Sequence, residues 1–308
     1  CYGQSLAPPF WLIVRTRLAR LKNLAKQKGY FFNQLLIRYA TERFLYRLSV
    51  SAYAAQFVLK GGNLFIIWQN GWSFRPTIDS DLLCFGQADE EHLKIIFRQL
   101  CSLPDHLEDG MSYDANSITI STIREDTEYG GTRIVLNAFL GNARIPLQFD
   151  IGIGDVITPA AETAYFPVLL GGLSPKLKIY PKETSIAEKA EAMITKGFAN
   201  SRMKDFYDIW LLSELFNFDY KTLRLALCNT FKRRNIPLPG SIPECFSDEF
   251  MMSPMKQTQW NAFIRKNQLH ENPGNFYDAA LRIKSFLLPV LLPRTDTLTQ
   301  WKAAQGWE

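Results

Sequence analysis

Histidine is scarce, with three in 308 residues, at His92, His106 and His270. That spacing offers no His-based zinc site and no Ser–His–Asp relay. Cysteine gives no framework either. Cys1, Cys84, Cys101, Cys228 and Cys245 are scattered, without a CxxC or a Cys/His cluster, which fits a reducing cytoplasm better than a disulfide scaffold. Long apolar runs are missing. Phe10–Val14 is apolar but far too short to span a bilayer. Basic residues follow it rather than precede it, so it is not expected to act as a signal peptide. Internal repeats and low-complexity tracts are absent. Negative charge is missing from one end: residues 1–41 contain no Asp or Glu.

What remains is ordinary for a globular chain, with 47% hydrophobic and 21% charged residues. The length suggests one large or two modest domains. A net charge of +5 and a pI near 8.9 are compatible with a nucleic-acid partner. The acid-free end carries Arg15, Arg17, Arg20, Lys22, Lys26, Lys28 and Arg38. Leu18, Leu21 and Ala25 recur at helical spacing, so 15–27 reads as a basic amphipathic helix ended by Gly29. A second helix over 31–49 buries Leu35, Leu36, Tyr39, Phe44, Leu45 and Leu48. The basic face is either a solvated surface or a contact for RNA phosphates.

The stretch Phe57–Phe85 organises the rest. Phe57-Val58-Leu59 is a short β-prone run broken by Gly61-Gly62, and residues 63–69 look helical. Glycines there let backbone N–H groups approach a phosphate, with a helix N-terminus behind them. Asp79-Ser80-Asp81 then leads into the apolar run 82–85. Carboxylates at i and i+2 of a strand share a face, and their repulsion invites a divalent cation. A phosphate cradle beside paired acids suggests metal-assisted attack on a nucleoside triphosphate. A helix over 89–101, a hairpin over 118–139 and a strand over 145–150 follow. Asp150 stands in the apolar run Leu147–Ile151, where an acid needs a partner or a cleft. It is the candidate third carboxylate, with Asp155 as a less favoured substitute.

Beyond 158–181 the chain reads mostly helical. Helices are expected over 185–197, 201–216 and 221–232, with weaker ones over 256–265 and 277–288 and a frayed end from Pro293. Ser185-x-x-Glu188 reads as a capping box and Ser201 as a cap. Lys204 and Asp208 read as an i,i+4 pair. Lys189 is left over, either snorkelling along the helix surface or reaching a phosphate.

Taken in order, LKGG, the D-x-DLL run, REDTEYGGTR, QFDIGIGD, SIAEKAEAM and NSRMKDFYDIW resemble the AbiEii/AbiGii-type nucleotidyltransferase toxins over about 15–212. The resemblance implies an α/β (α+β) fold of the DNA polymerase β nucleotidyltransferase type. A mixed sheet would be flanked by basic N-terminal helices (1–50), form the catalytic core (51–175), and be followed by a helical C-terminal part (176–308). It implies the toxin of a bacterial toxin–antitoxin or phage-defence system, cytoplasmic and without a membrane partner. Such a toxin would add a nucleoside monophosphate from an NTP to an acceptor, tRNA in some members, and be met by a cognate antitoxin. Carried over by residue, Asp79, Asp81 and Asp150 match metal ligands for Mg²⁺ or Mn²⁺. Lys60, Gly61, Gly62 and Asn63 match the nucleotide-binding turn. Lys189, Asp205 and Asp208 match the later nucleotide-binding and catalytic motif. Three positions depart from the pattern without removing a carboxylate. Ser80 stands between the acids where an apolar residue is usual, Ile78 stands where a base is common, and Asn63 replaces Thr or Ser. A non-catalytic RNA- or antitoxin-binding relic, and a transferase acting on a small molecule, are the competing readings.

Overall fold

In the computed structural model, residues 9–72, 77–103, 108–123, 130–267, 269, 271, 273–292 and 298–308 are described. Residues 124–129 of the REDTEYGGTR motif, with His106 and His270, lie outside them. The chain divides into two compact units, Cys1–Gly154 with Thr163–Ile179, and Asp155–Glu162 with Tyr180–Glu308.

The first unit begins with α1 (Phe10–Lys28) and α2 (Phe32–Val50), and continues with β1 (Phe57–Lys60), α3 (Leu64–Trp68), β2 (Asp79–Cys84) and α4 (Glu90–Cys101). The long strands β3 (Met111–Ile123), β4 (Gly131–Leu140) and β5 (Ala143–Ile153) follow, then β6 (Glu162–Tyr165) and β7 (Lys176–Ile179). The α1 helix starts five residues earlier than its leucine spacing predicts, because Phe10–Val14 joins it. Gly29 closes it in the left-handed region, φ 72°, donating its N–H to Ala25.

The sheet has seven strands in the order β3-β4-β5-β2-β1-β7-β6. It is mixed: β2 runs parallel to β5 and β1 parallel to β7, while β1/β2, β3/β4 and β4/β5 are antiparallel. The alternation of Ile134, Leu136, Ala138 and Leu140 buries one side of β4 completely. The strand before it begins at Met111 rather than at 118. A bulge between Asp114 and Thr119 hides its start, where the Asp114 side chain accepts from the Asn116 N–H and Ser117 Oγ donates to the Asp114 carbonyl.

One sheet face packs on α2 and α4. Phe44 lies 4.8 Å from Phe149, 5.5 Å from Phe97 and 5.2 Å from Tyr113, ring centre to ring centre. Such clusters give large apolar burial and about 0.5–1.5 kcal/mol per ring pair beyond it. Buried polar groups lock the same helix. Arg47 pairs with Asp109 at 2.8 Å, Tyr39 donates to the Asp109 carbonyl, and Tyr113 donates to the Ala40 carbonyl.

Glu42, also on α2, is fully enclosed and accepts from the Leu169 N–H. Burial pushes its carboxyl up to about 7, against the pull of Arg38, Arg43 and that N–H. The folded state therefore holds a proton that the unfolded chain releases near its ordinary value of 4.5. Stability must fall as pH rises between those values. Glu42→Gln cannot ionise, so its stability relative to wild type should rise by about 2 kcal/mol from pH 5 to pH 7.5. Urea midpoints at the two pH values measure this, and parallel curves would show that Glu42 does not titrate there.

The second unit is chiefly helical: α5 (Lys182–Lys196), α6 (Met203–Leu215), the short β8 (Phe218–Asp219), α7 (Tyr220–Arg233), α8 (Asp248–Met251), α9 (Pro254–Asn267) and α10 (Phe276–Leu291). Two cap expectations change. Helix α5 starts at Lys182 behind Pro181, so Ser185 is buried inside it and caps nothing. Ahead of α6 it is the Asn200 side chain that accepts from the Arg202 N–H, in place of a Ser201 cap. Of the end expected to fray from Pro293, residues 293–297 lie outside the described residues, and the residues after them form strands. Strands β9 (Gln300–Lys302) and β10 (Gly306–Trp307) pair with each other, and β9 pairs with β8. Trp301 is buried, donates to the Ser213 carbonyl and sits 4.8 Å from Phe286. Among the described residues no helix is long and apolar enough to cross a membrane.

Candidate active site

Residues that face each other across neighbouring strands point to the same side of a sheet. Across β2 and β5, Asp79 lies opposite Gln148 and Asp81 opposite Asp150. On the other flank Lys60 lies opposite Asp81, and beyond β5 Arg133 lies opposite Asp150. The face away from the Phe44–Phe149 core therefore brings Asp79, Asp81 and Asp150 together with Lys60 and Arg133. The i,i+2 reading of Asp79 and Asp81 holds, and Asp150 joins them on the adjacent strand.

The glycine pair sits against this cluster. Gly61 has φ +69°, a left-handed conformation that L side chains rarely adopt. A Cβ there would fall on Asp81 Oδ2. Only glycine lets the turn pass this close to the carboxylate. The helix expected over 63–69 is observed over Leu64–Trp68, one short α-helix behind the turn. Gly61–Asn63 form one 3₁₀ turn, followed by the five residues of α3. The helix dipole there is correspondingly small, and any phosphate binding by this turn rests on its N–H groups.

Two departures from the family pattern prove to be one contact. Asn63 is buried, and its amide donates to Ser80 Oγ at 2.9 Å and to the Asp79 carbonyl at 3.3 Å. The turn is tied to the strand that carries both acids. Ile78, just before Asp79, is 62% exposed.

Arg133 is the residue the motifs did not single out. Its Nε and Nη2 reach the two oxygens of Asp150 at 2.8 Å each, a bidentate fork. That hydrogen bonding, with the charges of Asp150, Asp79 and Asp81, holds its guanidinium above the usual arginine range against some loss of solvent. Counting equal steps back from the Gly141-Asn142 turn places Arg133 opposite Asp150, so the pairing was available from the hairpin alone.

These residues fit a hard cation in part. Asp79 and Asp81 supply oxygen donors of the right chemistry on one face. Both oxygens of Asp150 are turned to Arg133. Among the described residues, no three His, Cys, Asp or Glu side chains form a ready metal-binding group.

The later motif gathers within the second unit. Lys189 reaches Asp208 at 2.8 Å and Asp205 at 3.3 Å, and Arg202 reaches Asp205 at 2.7 Å. Asp205 and Asp208 are 1% and 0% exposed. Asp208 thus pairs with Lys189, while Lys204, its expected partner, is exposed. Asp155 lies 3.9 Å from Arg234 in the same unit. Of the basic residues on α1, Arg20 donates to the Leu170 carbonyl and Arg17 to that of Glu108, while Arg15, Lys22, Lys26 and Lys28 are exposed.

No curated protein sequence matches this chain. Two solved structures resemble it over 81% of its length: JHP933 from Helicobacter pylori, at 15% identity, TM-score 0.47 and 88% of that chain, and an H. pylori protein provisionally described as a nucleotidyltransferase, at 16% identity, TM-score 0.46 and 90% of that chain. Residues 43–286 match the family described as nucleotidyl transferase AbiEii toxin, Type IV TA system. The match takes in the glycine turn, Asp79, Asp81 and Asp150, Arg133 and the Lys189 cluster, and the chain belongs to the AbiEii nucleotidyltransferase toxin family.

Proposed function

We propose that this chain transfers a nucleoside monophosphate from an NTP to the 3′ end of an RNA, tRNA first, with Mg²⁺ or Mn²⁺ bound by Asp79 and Asp81. The observation that carries this is the placement of both carboxylates on one sheet face, with Asp81 directly against Gly61. In the reaction the terminal hydroxyl oxygen of the acceptor bonds to the α-phosphorus. The bond from that phosphorus to the α,β-bridging oxygen breaks, and pyrophosphate leaves. When bound, the cation supplies neutralising charge to the phosphate oxygens. Backbone N–H groups of Gly61, Gly62 and Asn63 cradle phosphate, and Lys60, beside Asp81 in register, adds a positive charge. Asp150 is the carboxylate proposed to join the cation or to take the acceptor's proton. Lys189, Asp205 and Asp208 are assigned to nucleotide binding by the motif they match.

The acid-free basic N-terminus supports a polyanionic acceptor over a small molecule. Family membership supports a toxin that works in the cytoplasm, where a cognate antitoxin restrains it and phage infection is countered. The test is incubation of the protein with Mg²⁺, each α-labelled NTP and total tRNA. Label should move to RNA with a preference among the four NTPs, and a chelator should stop it. Label on a small molecule, or no transfer with any NTP, would overturn the reading in favour of a small-molecule transferase or a non-catalytic relic.

A further inference from the structure

We infer that Arg133 competes with the divalent cation for Asp150, and so sets the metal affinity of this site and the moment at which the third carboxylate becomes available. The inference rests on the reading of Asp79 and Asp81 as metal ligands.

Three acids on one sheet face repel one another, and Arg133 is the cation paired with the third of them. Its fork takes both oxygens of Asp150 at once, leaving that carboxylate engaged on its hydrogen-bonding edge. The guanidinium is 41% exposed while Asp150 is 15% exposed. A long, half-solvated side chain can swing away, whereas a short carboxylate fixed in the middle of an apolar strand cannot. The attraction that holds Arg133 comes partly from Asp79 and Asp81 as well as from Asp150. A divalent cation on Asp79 and Asp81 brings two positive charges beside the guanidinium. It weakens that attraction and repels Arg133 at the same time. A triphosphate arriving with the cation offers the released guanidinium oxygens in the fork geometry it prefers. Arg133 is thus a positioning residue. It acts through Asp150, and its release couples binding of metal and nucleotide to completion of the carboxylate set.

The competition has a sign that a merely structural arginine would not give. Removing Arg133 should improve metal binding. Manganese titrations of the full chain, followed by the loss of free Mn²⁺ signal in electron paramagnetic resonance, read this directly without turnover. Arg133→Met, which keeps length and apolar contact, should bind Mn²⁺ roughly five- to ten-fold more tightly than wild type, the scale of one partly exposed charge-assisted contact. Arg133→Lys should fall between them. Asp150→Asn should weaken binding strongly in the Arg133→Met background and only slightly in wild type, where the fork already occupies the carboxylate.

Unchanged or weaker Mn²⁺ binding by Arg133→Met would overturn the inference, provided Asp79→Asn still abolishes binding. If wild type binds no Mn²⁺ at all, the metal reading falls and this inference falls with it. Tightening by Arg133→Met together with absent RNA transfer would uphold the competition while rejecting the proposed reaction. Should Arg133→Met fail to fold, the Asp150→Asn comparison between wild type and Arg133→Lys carries the same sign.

Discussion

Replacing Lys189 with alanine is expected to lower the stability of the protein by about 3–5 kcal/mol, the cost of breaking a buried ion pair from one side. The ammonium is 13% exposed, and its two carboxylate partners are 1% and 0% exposed. Arg202 keeps its hold on Asp205, while Asp208 loses its 2.8 Å contact with the ammonium. A buried carboxylate that loses its cation must keep an expensive charge or take up a proton. Asp208→Asn removes that charge. It should recover a substantial part of the loss when combined with Lys189→Ala, and the two substitutions should be strongly non-additive. Urea unfolding at pH 7 measures both. A Lys189→Ala protein within 1 kcal/mol of wild type would mean that the cluster contributes little to folding. The prediction has a practical consequence for any assay of Lys189 in catalysis. Transfer rates of the variant are interpretable only at temperatures where unfolding curves show it folded.

Sequence alone places Lys189 on a helix flank, with snorkelling or phosphate contact as its uses. Its actual partners lie 16 and 19 residues downstream, on a different helix. Spacing within one helix cannot reveal a pair made between two. The same limit explains the misplaced start of α5. Ser185-x-x-Glu188 has the letters of a capping box, but Pro181 and Lys182 already begin the helix and packing buries Ser185. The terminal strands were invisible for another reason. Three residues and two residues are too short for a period of two to register.

Patterns that depend on a single strand were legible. Alternation found β4, and the i,i+2 spacing found the shared face of Asp79 and Asp81. The apolar neighbours of Asp150 marked it as an acid needing a reason. What the spacing left out was that the reason is Arg133, because register across a hairpin must be counted rather than seen. The Asn63 and Ser80 departures also make sense only together, as donor and acceptor across the gap between the turn and β2. Taken one at a time, each looks like an erosion of the motif. As a pair they hold the glycine turn against the strand.

Asp81→Asn and Asp79→Asn should each lower transfer by roughly 10³-fold or more, the scale on which charge stabilisation at a reacting centre operates, while leaving the fold in place. Asp81 stands between Lys60 and Asp150 in register, so neutralising it trades one attraction against one repulsion on a sheet whose core lies on the other face. Unfolding midpoints should therefore move by less than about 1 kcal/mol. Gly61→Ala reaches the same carboxylate without changing any charge. The new methyl needs φ +69° and falls on Asp81 Oδ2, so either the turn or the carboxylate must shift. The left-handed conformation alone costs roughly 1–2 kcal/mol, and displacement of the carboxylate should bring transfer close to the Asp81→Asn level. Because both variants disable one centre, the double variant should transfer no more slowly than the worse single one, as expected for groups that act as a unit. Multiplicative losses would place Gly61 and Asp81 in separate roles. Wild-type transfer by both Asp79→Asn and Asp81→Asn would falsify their assignment as metal ligands, whatever the glycine variant does.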